Sequence, residues 1–160
     1  MQLPLTELTS DLIVDEDLNR IKSTGIRLVN EGRGRDAAQV LDAYCKQHPD
    51  DGHARSYLGL AFAMSQKGKI GLKMCREVAD SHPFDAEIHH NLGRVYLLAG
   101  RRRMAWETFV LASRLDADNP MIQEDLSKMG KRRPPVIPSL PRSHPVNVLA
   151  GRLLRLFGMR

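Results

Sequence analysis

The chain is poor in aromatic side chains, which make up 5% of its 160 residues. Any core it builds must therefore be aliphatic, with Ala and Met filling the gaps. It has two cysteines, Cys45 and Cys75, in no CxxC pair. That excludes a disulfide framework and fits a reducing compartment, the cytosol. No run of 18 apolar residues occurs, so no membrane-spanning helix is expected. The first residues, MQLPLTELTSDLIVDED, carry no base and no continuous apolar stretch, so no secretory signal is expected there. Phosphate-cradling loops are missing too: GRGR at 32–35 and GKIG at 68–71 lack the strand and the spacing such loops need. His89 and His90 are adjacent, and adjacent helical residues point about 100° apart, so one helix cannot bring both to one metal ion. Cys75 sits at an apolar offset, and Cys45 has no histidine placed beside it in sequence as a base. Trp106 and the methionines are expected to be core or gap filler. The expectation is a protein without catalytic residues, metal or cofactor.

Charge of one sign is missing from each end. Residues 1–17 hold five acids and no base, whereas residues 131–160 hold seven bases and no acid. The net charge of +5 is therefore mainly a property of the tail. A basic tail can meet an anionic membrane, nucleic acid or an acidic protein, or it can fold back on this chain's own acidic end. With Phe157 alone for stacking and no recognisable reading module, nucleic acid is the weakest of these.

What the sequence does have is a repeated pattern. In residues 86–119, Leu92, Val95 and Tyr96 form an apolar stripe at helical spacing, interrupted at Ala99-Gly100. A second stripe follows at Ala105, Phe109 and Ala112. Gly93, costly inside a helix, implies that another helix approaches there, with Ala105 expected opposite it. Slid back until Leu92-Gly93 falls on Leu58-Gly59, the stretch also puts Tyr96 on Phe62, Phe109 on Cys75 and Ala112 on Val78. A second, equal shift puts Gly93 on Gly25, Tyr96 on Leu28, Ala105 on Ala37 and Phe109 on Leu41. Pro49 and Pro83 keep the same separation. Helical hairpins are expected over 17–31 and 35–47, 52–65 and 69–81, and 86–99 and 103–115, with a Gly stopping each first helix.

Outside the hairpins, residues 1–17 are expected to form an acidic arm, loosely ordered or docking an apolar segment on the first repeat, with Asp15 capping the first helix. Asn119-Pro120 starts a short capping helix at 120–130, stopped by Gly130. Residues 131–145 read as a proline-rich basic linker. Residues 146–160 read as a basic amphipathic helix, with Val146, Leu149, Leu153 and Leu156 on one side and Arg152 and Arg155 toward the other.

A period of about 34 residues, with Gly, large apolar and small residues in this order, resembles the tetratricopeptide repeat. Three units are identified, 18–51, 52–85 and 86–119. The resemblance implies an all-α fold, a right-handed α-solenoid of three hairpins plus the capping helix and the tail helix. In architecture it is also similar to bacterial secretion chaperones of this type. The implied function is that of a protein-interaction adaptor or chaperone-like scaffold, whose first helices line a concave groove for a partner's peptide. Carried onto this chain, the groove offsets give Asn19, Lys22, Ile26, Val29 and Asn30, then His53, Ser56, Tyr57, Leu60, Ala63 and Met64, then Glu87, His90, Asn91, Arg94, Leu97 and Leu98. Some repeats of the family grip a C-terminal carboxylate with a set of Lys, Asn and Arg side chains. Here Lys22 alone matches that set. Ile26 and Tyr57 replace its asparagines, and Glu87 and Asn91 stand at its other basic places. The groove is expected instead to take an apolar segment, along Ile26, Val29, Leu60, Ala63, Met64, Leu97 and Leu98. The chain's own arm or tail could fill part of that strip. A second expectation is a scaffold peripheral to an anionic membrane, held by Arg152, Leu153, Arg155, Leu156 and Phe157. The same helix could pack on the repeats or pair with another copy, giving a homo-oligomer.

Overall fold

The computed structural model describes the backbone of residues 5–129, 137, 139 and 144–156, and the side chains of 17–129, 137, 139, 144–150 and 153. All the regular structure among these residues is helical: α1 (Leu5–Asn30), α2 (Gly34–Gln47), α3 (Gly52–Met64), α4 (Gly68–Ser81), α5 (Ala86–Leu98), α6 (Arg102–Leu115), α7 (Pro120–Lys128) and α8 (Pro145–Leu156). The chain divides into two compact units, Met1–Leu126 and Ser127–Arg160.

In the first unit, α1–α2, α3–α4 and α5–α6 are antiparallel hairpins. Each second helix also packs on the next first helix, α2 on α3 and α4 on α5. The first helices touch one another in sequence, α1 with α3 and α3 with α5. They form one row, with the second helices behind them. The hairpins close over one repeated contact. A Cβ placed on Gly25 would lie 2.6 Å from the Leu41 side chain, one on Gly59 2.5 Å from Cys75 Sγ, and one on Gly93 2.5 Å from the Phe109 ring. Each glycine thus admits the side chain of the returning helix into space a methyl group would occupy. The expected partner of Gly93 was Ala105; Phe109, one helical turn further along α6, takes that place. Leu41, Cys75 and Phe109 are all fully buried. Truncating a buried Phe such as Phe109 to Ala costs about 3–5 kcal/mol in comparable cores.

The middle hairpin is closer than its neighbours. A Cβ on Gly71 would lie 2.2 Å from the Gly59 carbonyl oxygen, a backbone clash no side chain could relieve. Gly71 stands where the flanking hairpins have Ala37 and Ala105, and Cys75 where they have Leu41 and Phe109. Two small residues on α4 therefore go together with the tighter approach.

The turns repeat as well. The N–H groups of Arg33, Lys67 and Arg101 donate to the carbonyls of Leu28, Phe62 and Tyr96, closing each first helix with the same six-residue hydrogen bond. The residue before each donor is left-handed: Gly32 at φ 82°, Gln66 at φ 69° and Gly100 at φ 71°. The expectation that glycine stops every first helix fails in the middle hairpin. There Gln66 holds the strained position, and Gly68 begins α4.

Starts are set by acidic and amide caps. Asp51 accepts from Ala54 N–H, Asp85 from Ile88 N–H, and Asn119 from Met121 N–H and Ile122 N–H. These caps recur once per repeat, and so do the fully buried Ala54, Ile88 and Ile122. By this register α7 is the opening of a fourth first helix. Gly130, its expected stop, lies outside the described residues.

Three further expectations are corrected. Residues from Leu5 onward are not a loose arm but the start of α1, so position 15 lies inside a helix rather than ahead of one. No Gly or Pro interrupts Leu5–Asp17, and the helix runs on toward Pro4. Trp106 is half exposed on α6, with Met104 and Met121 also at the surface. α8 starts at Pro145, and in this unit Asn147 is buried and brackets Ile137. The Ile137 N–H donates to its Oδ1 at 2.8 Å, and its Nδ2 donates to the Ile137 carbonyl at 3.2 Å. Most of the proline-rich linker lies outside the described residues.

Glycine at position 66 relieves the left-handed strain without removing packing, since Gln66 is exposed. Gln66→Gly is expected to raise the unfolding free energy by about 0.5–1 kcal/mol in urea denaturation. Gly32→Ala and Gly100→Ala should lower it by a similar or larger amount.

Candidate binding face

The row α1, α3, α5 and α7 brings the expected groove residues together, and most of their polar groups are already engaged with one another. Lys22 Nζ donates to Asp51 Oδ2 at 2.7 Å, and the Tyr44 hydroxyl donates to the same oxygen at 3.1 Å. Burial alone would push the Asp51 carboxyl up; the Lys22 bond, the Ala54 N–H and the Tyr44 hydroxyl outweigh it and hold Asp51 below the usual carboxylate value. The one residue matching the carboxylate-gripping set is thus bound within the fold.

Between α3 and α5, the Tyr57 hydroxyl donates to Glu87 Oε1. Burial, reinforced by that carboxylate, pushes the phenol well above its usual value. His53 Nε2 lies 3.4 Å from Asp85 Oδ2 and 3.3 Å from Glu87 Oε2. Deeper in, Asn91 Nδ2 donates to Ser56 Oγ at 2.9 Å, Ser56 Oγ to the His53 carbonyl at 2.8 Å, and Cys75 Sγ to the Ser56 carbonyl at 3.3 Å. Between α5 and α7, His90 Nε2 lies 3.0 Å from Asp125 Oδ2, and its ring centroid is 5.5 Å from that of Phe109. Arg94 reaches across the row: its Nη1 donates to Asn30 Oδ1 at 3.3 Å, and its Nε lies 4.0 Å from Asp125. Asp51 and Asp125 were absent from the sequence-derived site. Asp125 stands one repeat after Asn91, so the repeat offset itself pointed to it.

Burial separates the expected residues into two groups. Val29, Ser56, Tyr57, Leu60, His90 and Asn91 are buried, so they are packing groups between helices rather than open lining. The reason is the close row of first helices: their middle turns face one another. Lys22, Ile26, His53, Ala63, Met64, Glu87, Arg94 and Leu97 remain partly exposed, Asn19 and Asn30 are exposed, and Leu98 is 56% exposed. The apolar ones among these lie in the C-terminal halves of α1, α3 and α5, toward the turns. The open apolar strip is therefore smaller than the spacing suggested, and polar side chains border it.

Both thiols are poor nucleophiles at neutral pH. Burial pushes Cys45 up to about 11 and Cys75 up to about 12. His89 Nε2 is bonded to the Pro83 carbonyl at 3.0 Å while His90 meets Asp125, so the two rings diverge. Among the described residues no cluster of three metal-ligating side chains occurs. On α8, Val146, Leu149 and Leu153 are exposed. The side chains of Arg152, Arg155 and Leu156, and Phe157 altogether, lie outside what the structure describes. No described helix is long and apolar enough to cross a membrane.

No protein-family model and no curated protein sequence matches the chain. Solved structures do. The tetratricopeptide-repeat domain of P58(IPK) superposes with a TM-score of 0.56 at 19% identity, over 71% of this chain and 33% of that one. The present chain thus spans about a third of that protein's domain. The Yersinia enterocolitica type III secretion translocator chaperone SycD matches with a TM-score of 0.56 at 20% identity, over 71% of this chain and 89% of SycD. The second tetratricopeptide-repeat domain of human RPAP3, solved in complex with the HSP70 peptide SGPTIEEVD, matches with a TM-score of 0.54 at 18% identity, over 70% and 93%. At these identities the likeness is one of fold.

The buried His90 makes stability depend on pH. Burial lowers its pKa from 6.5, with Arg94 in the same direction, against the opposing pull of Asp125 and Glu87. As pH falls below 6.5 the unfolded chain takes up a proton that the folded chain resists, so stability is lost with acidification. Urea midpoints at pH 7.5, 6.5 and 5.5 should fall progressively. His90→Gln should flatten that fall relative to the parent chain.

Proposed function

We propose that this chain, which has the tetratricopeptide-repeat fold, is a protein-interaction adaptor that holds an apolar segment of a partner on the row of first helices. One observation carries the reading. Lys22, Tyr57 and His90 of that row are each paired with a carboxylate of this chain, while Ile26, Ala63, Met64, Leu97 and Leu98 stay partly open beside them. A surface whose charges are already satisfied offers little to an acidic peptide. Its unpaired asset is apolar area, which suits the hydrophobic side of a helix or an extended apolar segment. Arg94, partly exposed at the border of the strip, would set the orientation of the incoming segment through its remaining N–H groups. The peptide-binding and chaperone neighbours support a binding role. The carboxylate-gripping mode is disfavoured, because Lys22 is held by Asp51 and Glu87 would repel a terminal carboxylate.

Selection of peptides from a displayed library against the full chain tests this. Apolar sequences should be enriched, and Leu97→Asp with Leu98→Asp should weaken them at least tenfold without changing the helical circular dichroism. The peptide SGPTIEEVD should bind no tighter than about 1 mM. Enrichment of acidic C-terminal peptides, or apolar binding that survives both Asp substitutions, would refute the reading.

A further inference from the structure

A second surface lies away from the row of first helices. An open cleft of about 400 Å³ runs along α4 to the turn before α6, lined by Lys69, Lys73, Arg76 and Arg101 over an apolar floor at Leu72. Glu77 and Asp80 lie at its far end. Glu77 approaches Lys73 at 3.7 Å, but among the described residues Lys69, Arg76 and Arg101 have no ion-pair partner. Lys69, Lys73 and Arg76 follow one another at i, i+4 and i+7, a single stripe along α4. Ile70 beside them is 54% exposed.

The complementary pattern is in the same chain. Glu7, Asp11 and Asp15 stand at successive i, i+4 positions in the helical first turns of α1, so their positions share one face, with Leu8 and Leu12 next to them in sequence. At a rise of about 1.5 Å per residue the acidic stripe spans about 12 Å and the basic one about 10 Å. Residues 1–17 hold no base to neutralise these acids internally.

We propose that the cleft along α4 binds the acidic first turns of α1 from a second copy of this chain. The chain's own α1 cannot serve. Arg101 and Lys69 lie at the turn end of the hairpins, whereas α1 runs away from its turn without a break, and Leu5 is about 18 Å beyond Asp17 along the helix axis. The contact joins two different patches, so it either links copies head to tail into chains or rings or is made twice in a reciprocal two-fold dimer. It brings opposite charges together and is weakened by salt.

Sedimentation of the full chain at low and high salt tests the proposal. At low salt the parent should associate with rising concentration, and salt should dissolve the assemblies. A Lys73→Glu/Arg76→Glu chain and a Glu7→Lys/Asp11→Lys chain should each associate at least tenfold more weakly. Mixed in equal amounts, they should pair through the exchanged charges. These positions lie off the apolar strip, so selected apolar peptides should bind both variants as they bind the parent, and failure here is separable from failure of the adaptor reading. A parent that stays monomeric throughout overturns the proposal. So does association that persists in the Lys73→Glu/Arg76→Glu chain, as it would if the basic residues 131–160 held the acidic segment, and so does a mixture that fails to pair.

Discussion

The structure depends on a missing methyl group. In each hairpin a glycine on the first helix lets the second helix press a side chain against its backbone: Gly25 with Leu41, Gly59 with Cys75, Gly93 with Phe109. That approach brings the paired helices close enough to bury Ala37 and Ala105, which recur in step with the glycines. The size of the incoming residue varies, and the spacing follows it. Where it is Cys75, the helices close further and Gly71 becomes necessary. The repeat is therefore a set of steric agreements, each local to one hairpin, which suits an array whose units contact only their neighbours.

Once the hairpins are closed, the row of first helices has its polar groups facing one another across the gaps. A buried hydroxyl or carboxylate without a partner would cost more than a net hydrogen bond returns. The chain meets this constraint with pairs that link one hairpin to the next: Lys22 to Asp51, Tyr57 to Glu87, Asn91 to Ser56, His90 to Asp125. The two Asp residues differ in kind. Asp51 caps α3 and receives Lys22 with the same side chain, so one carboxylate both starts a helix and ties it to its neighbour. Beside these pairs lies the open apolar strip of Ile26, Ala63, Met64, Leu97 and Leu98, and that strip is the basis for an apolar ligand.

Much of this was legible in the sequence, because steric repeats leave their mark at a fixed period. The boundaries of the second and third hairpins, the start of α7 at Asn119-Pro120 and the burial of Cys75 follow from position alone. Other features depended on what the period does not encode. Gly93 meets Phe109 rather than Ala105, one helical turn further along α6, a contact that the period alone does not specify. Val29 and Leu60 are buried because adjacent hairpins pack closely, a matter of inter-hairpin angle. Position 17 aligns with the caps at 51, 85 and 119, yet α1 runs through it, since no residue upstream forces a stop before Pro4. Trp106 occupies the position held in the first hairpin by the buried Ala38; in the last hairpin it is half exposed. An end effect of this kind cannot be read from the repeat itself.

The most direct measurement of the central claim is methyl chemical-shift mapping of the full chain with an apolar peptide selected against it. Perturbations should concentrate on the methyl groups of Ile26, Ala63, Met64, Leu97 and Leu98, leaving those of Leu72 and Ile70 on α4 unmoved. Perturbations confined to α4 or α6, with the first helices silent, would contradict the account.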